Sequence, residues 1–369
     1  MNQLFRWDQT GLFLLALAAG ILPFAVPEVC AAALREGLTL CSGPLLLSLF
    51  PFLVVSRLLV QCPESDLLAM PFRLAAWGIG IRTPCAARVL CIGFLGGFAP
   101  AASAAAQAVR TGQLTAEEAD ALLPACICSG PSFVVLTVGQ SLLGSAELGV
   151  LLFASQITAN YLTAALLNRF AGVRSVKPGS AAPASPAPPR LDEILADAAI
   201  TYCKLCGFIL FFRMLATGAG ALLPAGADTL CSILLEVCSG CDLASRTGRW
   251  GSLLCCAALS VQGLSVLLQV RTICPPEMTL RPLYRSRLLH LPLSLALFYL
   301  LLPGGEADVF STLSARVLLM RRVPPDCALL VFAVCCMAAC TLRSGIRQVE
   351  QKQMARNAGG CCINSKTLL

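Results

Sequence analysis

Long apolar runs, each punctuated by only a few polar or charged positions, recur along this chain. Many of them approach the roughly 20 helical residues needed to cross a ~30 Å hydrocarbon core. They lie at 10–26, 44–61, 86–108, 121–143 and 147–169, and again at 198–223, 228–243, 251–271, 286–303 and 326–343. Between the two sets, 171–190 runs through Val176-Lys177-Pro178-Gly179-Ser180 into Ala, Pro and Ser. That composition neither continues a helix nor buries a core, so it predicts a flexible linker. Strands alternating at period two are not evident, which argues against a lipid-facing barrel. The pattern predicts an all-α, polytopic helical membrane protein in two pseudo-symmetric repeats, with roughly eight to ten spans and one or two broken or re-entrant pieces. The expected order is an N-terminal span and interfacial helix (1–43), a first repeat (44–170) and a linker with an amphipathic lead-in (171–197). A second repeat (198–305), a C-terminal span (306–343) and a basic polar tail (344–369) follow.

Some segments depart from the simple span. In 28–40 and 66–79, Glu28, Arg35, Glu36, Asp66 and Arg73 interrupt the apolar positions, as in short helices lying in the interface. The run from Gly11 to Val26 reads as an uncleaved first span, because further membrane segments follow it. Thr115 followed by Glu117, Glu118 and Asp120 is an acidic helix opening with a capping residue. Glycine and proline break other apolar runs at Gly96-Gly97-Phe98-Ala99-Pro100, at Ser129-Gly130-Pro131-Ser132, at Gln262-Gly263 with Gln269 beyond, and at Cys238-Ser239-Gly240-Cys241. Such interruptions in corresponding places of two halves point to a transporter binding site. Half-helix N-termini there offer free N–H groups to an anion, and Pro131 suits a helix start.

Two apolar windows also match each other. Leu49–Leu59 aligns with Leu205–Leu215, with Arg57 and Arg213 in register. An arginine inside an apolar run costs at least ~2.5–3.5 kcal/mol on insertion scales. Two at equivalent places suggest a duplicated unit with something anionic to meet, although Arg57 is near enough to a span end to snorkel. Glu236, after Leu234-Leu235, is an acid at membrane depth and a candidate for ion coupling.

Composition agrees with the membrane reading: 57% of the 369 residues are hydrophobic, 13% are charged, and the mean hydropathy is +0.78. The net charge of +7 resides in arginines at segment ends and loops, the pattern of cytoplasmic retention. No basic stripe with interleaved aromatics appears, so no nucleic-acid partner is expected. Most of the 21 cysteines sit in apolar helices as small packing residues, and neither Cys203-x-x-Cys206 nor Cys238-x-x-Cys241 has a histidine near it. No metal or cofactor is expected. With His290 the only histidine and no P-loop, His-Glu-x-x-His, Gly-x-Ser-x-Gly or dinucleotide fingerprint, no enzyme is expected either. His290 itself reads as an interfacial residue near the start of its span.

At these motifs the chain resembles the YlbJ family of sporulation integral membrane proteins, which carry paired nucleoside-recognition ("Gate") domains. The resemblance rests on Phe50-Pro51-Phe52, Pro100, Arg110-x-Gly112-x-Leu114-Thr115-x-Glu117-Glu118-Ala119 and Ser129-Gly130-Pro131-x-Phe133. It continues through Cys206-Gly207-Phe208, Glu236-x-x-x-Gly240, Gln262-Gly263 and Gln269, in order over roughly residues 5–305. The chain resembles a divergent member of that family: Phe98-Ala99-Pro100-Ala101-Ala102 stands where Gly-Tyr-Pro-x-Gly is expected, and Ile127 and Cys128 where two asparagines are expected. The resemblance implies a sporulating bacterium, the outer forespore membrane, and a permease passing dipicolinate, a small aromatic dicarboxylate, toward the spore. On that reading Arg57 and Arg213 pair the carboxylates, and the breaks at Pro100 and Gly130 supply backbone donors. Ser129, Pro131, Gln262 and Gln269 complete the site, while Glu236 couples an ion. Two alternatives differ in class. A non-transporting scaffold for spore envelope assembly would depend on other sporulation membrane proteins, and a nucleoside carrier would favour amides and aromatics over arginines.

Overall fold

In the computed structural model, the described residues are 9–61, 65–171, 190–224 and 226–302. The linker core at 172–189, the expected span at 326–343 and the basic tail at 344–369 lie outside them. Among the described residues every regular element is helical. The first half contains α1 (Gln9–Ala25), α2 (Pro27–Ser42), α3 (Pro44–Gln61), α4 (Ser65–Leu68), α5 (Met70–Gly78), α6 (Pro84–Gly96), α7 (Phe98–Arg110) and α8 (Ala116–Cys126). A π-helical segment (Ser132–Leu142) and α9 (Ala146–Ala171) complete it. The second half contains α10 (Leu191–Gly220), α11 (Ala227–Leu235), α12 (Val237–Ser245), α13 (Gly251–Val261), α14 (Gly263–Ile273) and α15 (Arg281–Leu301).

Four stretches are long and apolar enough to cross a membrane: Pro27–Leu47, Ala146–Ala171, Leu191–Gly220 and Gly248–Ile273. Large apolar side chains such as Leu47, Phe170, Leu288 and Leu300 remain exposed on the outside, where hydrocarbon rather than water suits them. Both observations are compatible with an integral membrane protein. Four is fewer than the sequence windows suggest, in part because three windows are cut into pieces too short to count, while a fourth, 251–271, is interrupted within Gly248–Ile273. The 86–108 window is α6 and α7, 121–143 is most of α8 and the π-helix, and 228–243 is α11 and α12. Even the 13 residues of α6 rise only about 20 Å, short of a ~30 Å core.

At the centre stands α7, whose Ala99, Ala101, Ala102, Ala104, Ala105, Ala106 and Ala108 are all wholly buried. Side chains this small let α3, α6, α8 and α14 close on it, as small residues do in membrane bundles. The start of α8 is fixed by the capping box expected there. The Thr115 hydroxyl accepts from Glu118 N–H at 3.1 Å, Thr115 N–H donates back to Glu118 at 3.2 Å, and Thr83 donates to the same carboxylate at 2.5 Å.

The segment 28–40, read from sequence as interfacial, instead belongs to α2 and packs along α10. The Cβ that Gly37 lacks would fall 2.8 Å from the Leu210 side chain, Cys30 faces Gly218, and the Tyr202 hydroxyl donates to the Cys41 carbonyl. Its charges are accommodated because Glu36 finds a partner on α10. Short α5 behaves differently, burying Ala76 while Met70, Leu74 and Trp77 stay exposed one turn apart.

Gly97 joins α6 to α7 at φ 82°, and a Cβ on it would lie 2.6 Å from the Gly130 nitrogen. Gly112 also has positive φ (69°) but faces open space. Gly112→Ala therefore carries only the backbone penalty, of order 1 kcal/mol, whereas Gly97→Ala must also push two chain segments apart. Melting of the purified variants in detergent should show a small decrease for Gly112→Ala and a much larger one, or loss of folded protein, for Gly97→Ala.

Candidate functional site

Four helices are interrupted inside the bundle, and the interruptions touch. Gly97 separates α6 from α7, and residues 127–131 separate α8 from the π-helix. The missing Cβ of Gly97 points at Gly130, so these two breaks lie against each other. Glu236 separates α11 from α12, and the pair Gln262–Gly263, both at positive φ (66° and 68°), separates α13 from α14. A Cβ on Gly263 would lie 3.0 Å from both Glu236 N and Leu235 O, so the second pair of breaks meets as well. The Gln262 side chain joins the pairs, its Nε2 donating to Leu259 O at 2.6 Å and toward Ser129 Oγ at 3.4 Å.

Sequence punctuation located three of these breaks within a few residues. The fourth sits three residues before the expected Ser239-Gly240. Gly240 is inside α12, where its missing side chain admits the α11 backbone; a Cβ there would lie 2.8 Å from Ile233 Cα. Glu236 breaks the helix because it is extended (φ −150°, ψ 122°) and turns its own carboxylate onto the next one. That carboxylate accepts from Cys238 N–H at 2.9 Å, from Ser239 N–H at 2.7 Å and from the Ser239 hydroxyl at 2.9 Å. The N-terminus of α12 is thus occupied by the chain itself.

Between the breaks is an internal space of about 50 Å³. Ser129, Gly130, Glu236 and Gln269 line it, together with the neighbouring Ser132 and the rings of Phe98 and Phe133. Gln269 is 2% exposed, its Nε2 donates to Ser265 Oγ at 2.9 Å, and its Oε1 has no partner. Four of the residues singled out from sequence therefore converge. Gln262 stands behind Ser129, while Pro131 stays in the break without lining the space. Pro100 is the third residue of α7, not the interruption, and its missing N–H costs nothing in a first turn.

The two arginines are elsewhere. Buried Arg57 on α3 is ion-paired with Asp197 on α10 and donates to Thr201 Oγ1 at 3.2 Å. Buried Arg213 on α10 is paired with Glu36 on α2 at 2.6 Å. Each charge is met by an acid on the adjacent helix, which removes most of the cost of an arginine at depth. Neither guanidinium lines the space. Neither acid was expected as a partner, because Glu36 read as an interfacial charge and Asp197 fell in the amphipathic lead-in.

A third arginine gave little sign of its role. Arg287, close to Arg281 and Arg285 at the start of α15, reads as an end-of-span charge, yet it is buried and bonded to oxygens of three other helical units. It donates to Asn160 Oδ1 at 3.0 Å, to Ile127 O at 3.3 Å and to Ser260 O at 3.5 Å. Those two carbonyls end α8 and α13, so a single cation faces the negative ends of two half-helices, one from each half of the chain. Asn160 also donates to Ile127 O, and Gln156 donates to Cys256 O and Ser260 Oγ. His290 is wholly buried in the same network, not interfacial, and its Nε2 lies 3.2 Å from Gln156 O. A carbonyl only accepts, so that nitrogen carries the proton. Asp120, read from sequence as part of a capping run, is buried and holds the turn before α15 by accepting from Thr279 N and Oγ1 and Leu280 N.

Among the described residues no group of three or more His, Cys, Asp and Glu is placed to hold a metal ion. Comparisons with protein-family models, with curated proteins and with solved structures each find no match.

Arg287→Met keeps the volume but removes the cation from both carbonyl ends, at a cost of about 2 kcal/mol or more. Thermal unfolding of the purified protein should therefore be lowered clearly more by Arg287→Met than by Lys204→Met on α10. Equal melting temperatures would show that the two helix ends do not depend on Arg287.

Proposed function

We propose that the chain is a membrane carrier for a small organic molecule, made of two halves of like construction whose interrupted helices form the substrate path. The observation that carries this reading is that three helix interruptions border one space, with the fourth packed behind it, and that the space contains a buried carboxylate and an unpartnered amide oxygen. Non-helical backbone at membrane depth is tolerated where it lines a cavity or is buried in protein, and discontinuous helices form the binding sites of many secondary transporters. The order of elements supports duplication. Each half has a long helix with a buried arginine (α3, α10), then two interrupted pairs, then a long closing helix (α9, α15).

At about 50 Å³ the space is smaller than the ~150 Å³ of a cavity that takes up benzene. A substrate of that size therefore needs a wider space than the present one. Dipicolinate, moving toward the developing spore across its outer membrane, is the first substrate to test, on the strength of the sequence resemblance. The half-helix starts of α7, the π-helix and α14 have no side-chain cap and leave amide ends for a carboxylate. With Arg57 and Arg213 held by their own acids, those amide ends, not the arginines, are the groups that would receive it. A nucleoside is the second substrate, favoured by the amide of Gln269, the hydroxyls of Ser129 and Ser132 and the rings of Phe98 and Phe133 around the space.

Proteoliposomes containing the purified protein provide the test, with terbium luminescence reporting dipicolinate and labelled uridine run in parallel. Uptake of at least one above protein-free vesicles is expected. Ser132→Leu, which fills the space, should reduce uptake by about tenfold or more, as expected for an obstruction costing at least ~1.4 kcal/mol. Leu162→Ala on the outer face of α9 should leave it unchanged. Failure to take up either compound removes the carrier reading and leaves a membrane scaffold as the better account.

A further inference from the structure

The space between the four breaks presents more acceptors than donors. Glu236 is 2% exposed, and the partners of its carboxylate are uncharged: two backbone amides and one hydroxyl. Gln269 brings an amide oxygen with no partner, and the Ser129 and Ser132 hydroxyls complete the polar lining. No lysine, arginine or histidine lines the space, and the nearby Arg213 is engaged by Glu36. Some of the donors at these helix starts are missing or already engaged. Pro100 and Pro131 have no N–H to contribute near the starts of α7 and the π-helix, and the first free amides of α12 are taken up by Glu236.

We propose that this space binds a monovalent alkali cation, with Na⁺ the first to test, through the Glu236 carboxylate, Gln269 Oε1 and the Ser129 and Ser132 hydroxyls. Most of the wall is apolar (Leu45, Leu49, Ile209, Val266), and Cys238 also borders it. The unpartnered or charged acceptors there, Gln269 Oε1 and the Glu236 carboxylate, are oxygens, which suits hard cations over transition metals. Charge selects the valence: one carboxylate balances one positive charge, and a divalent ion would leave an uncompensated charge in a low-dielectric interior. Size favours a small ion: at about 50 Å³ the space is well under the ~150 Å³ of a cavity that takes up benzene. The binding claim stands on this geometry. That the ion drives substrate movement, and offsets the repulsion between Glu236 and an anionic substrate, rests on the carrier reading above.

The test is the thermal unfolding of the purified full-length protein in detergent, in NaCl, KCl or choline chloride at equal ionic strength. A saturable rise of the midpoint by a few degrees in an alkali chloride over choline chloride is expected, and that rise should vanish in both Glu236→Gln and Gln269→Leu. Equal midpoints in all three salts, or a rise that survives in either variant, overturns the proposal. Uptake in proteoliposomes separates this result from the carrier reading. Uptake that persists without any alkali cation, with no thermal response, sinks the cation site and leaves the carrier. A thermal response without uptake of dipicolinate or uridine does the reverse.

Discussion

Backbone groups freed by breaking a helix inside a packed bundle find no water to bond, and four helices of this protein are broken in that way. The solution is to bring the breaks together, so that each buries another. Gly97 lies on Gly130, Gly263 lies on Leu235 and Glu236, and Gln262 reaches across to Ser129. Each contact constrains the sequence at its own position. Gly97 needs positive φ and no Cβ, and Gly263 needs the same beside the Glu236 backbone. Glu236 supplies from its own side chain the hydrogen bonds that the next helix requires. Alanine-rich α7 lets the surrounding helices close to the distance at which these contacts form.

The charged residues follow from the same constraint. Half-helices end with partial charges inside the bundle, positive at their starts and negative at their ends. Glu236 answers one positive end, while Arg287 answers two negative ends through Ile127 O and Ser260 O. Arg57 and Arg213 serve differently, each pinned to an acid on a neighbouring helix. They tie α3 to α10 and α10 to α2, which sets the frame around the breaks. This division leaves the internal space with a carboxylate, an amide oxygen, hydroxyls and ring faces, and without a cation of its own.

Much of the architecture was legible because glycine and proline in an apolar run have few other uses. Ser129-Gly130-Pro131 and Gln262-Gly263 marked their breaks directly, and Thr115 with Glu118 marked a helix start. Gly240 misled for a physical reason: a glycine that allows close helix packing resembles a glycine that ends a helix. Arg57 and Arg213 were conspicuous, but their partners Glu36 and Asp197 were not, since pairing across helices leaves no local trace. Arg287, Asn160, Gln156 and Asp120 were hidden more completely. Their roles depend on carbonyls and turns brought close by the fold, and a polar residue near a span end looks the same whether it faces inward or toward the headgroups.

The central claim is that ligand sits where the four breaks meet. It is tested most directly by an experimental structure of the protein with dipicolinate or uridine bound. The account predicts ligand density bounded by Ser129, Gly130, Glu236 and Gln269, in a space wider than the present one. Ligand density beside the Arg57–Asp197 or Arg213–Glu36 pair, with the four breaks still closed on one another, would contradict it.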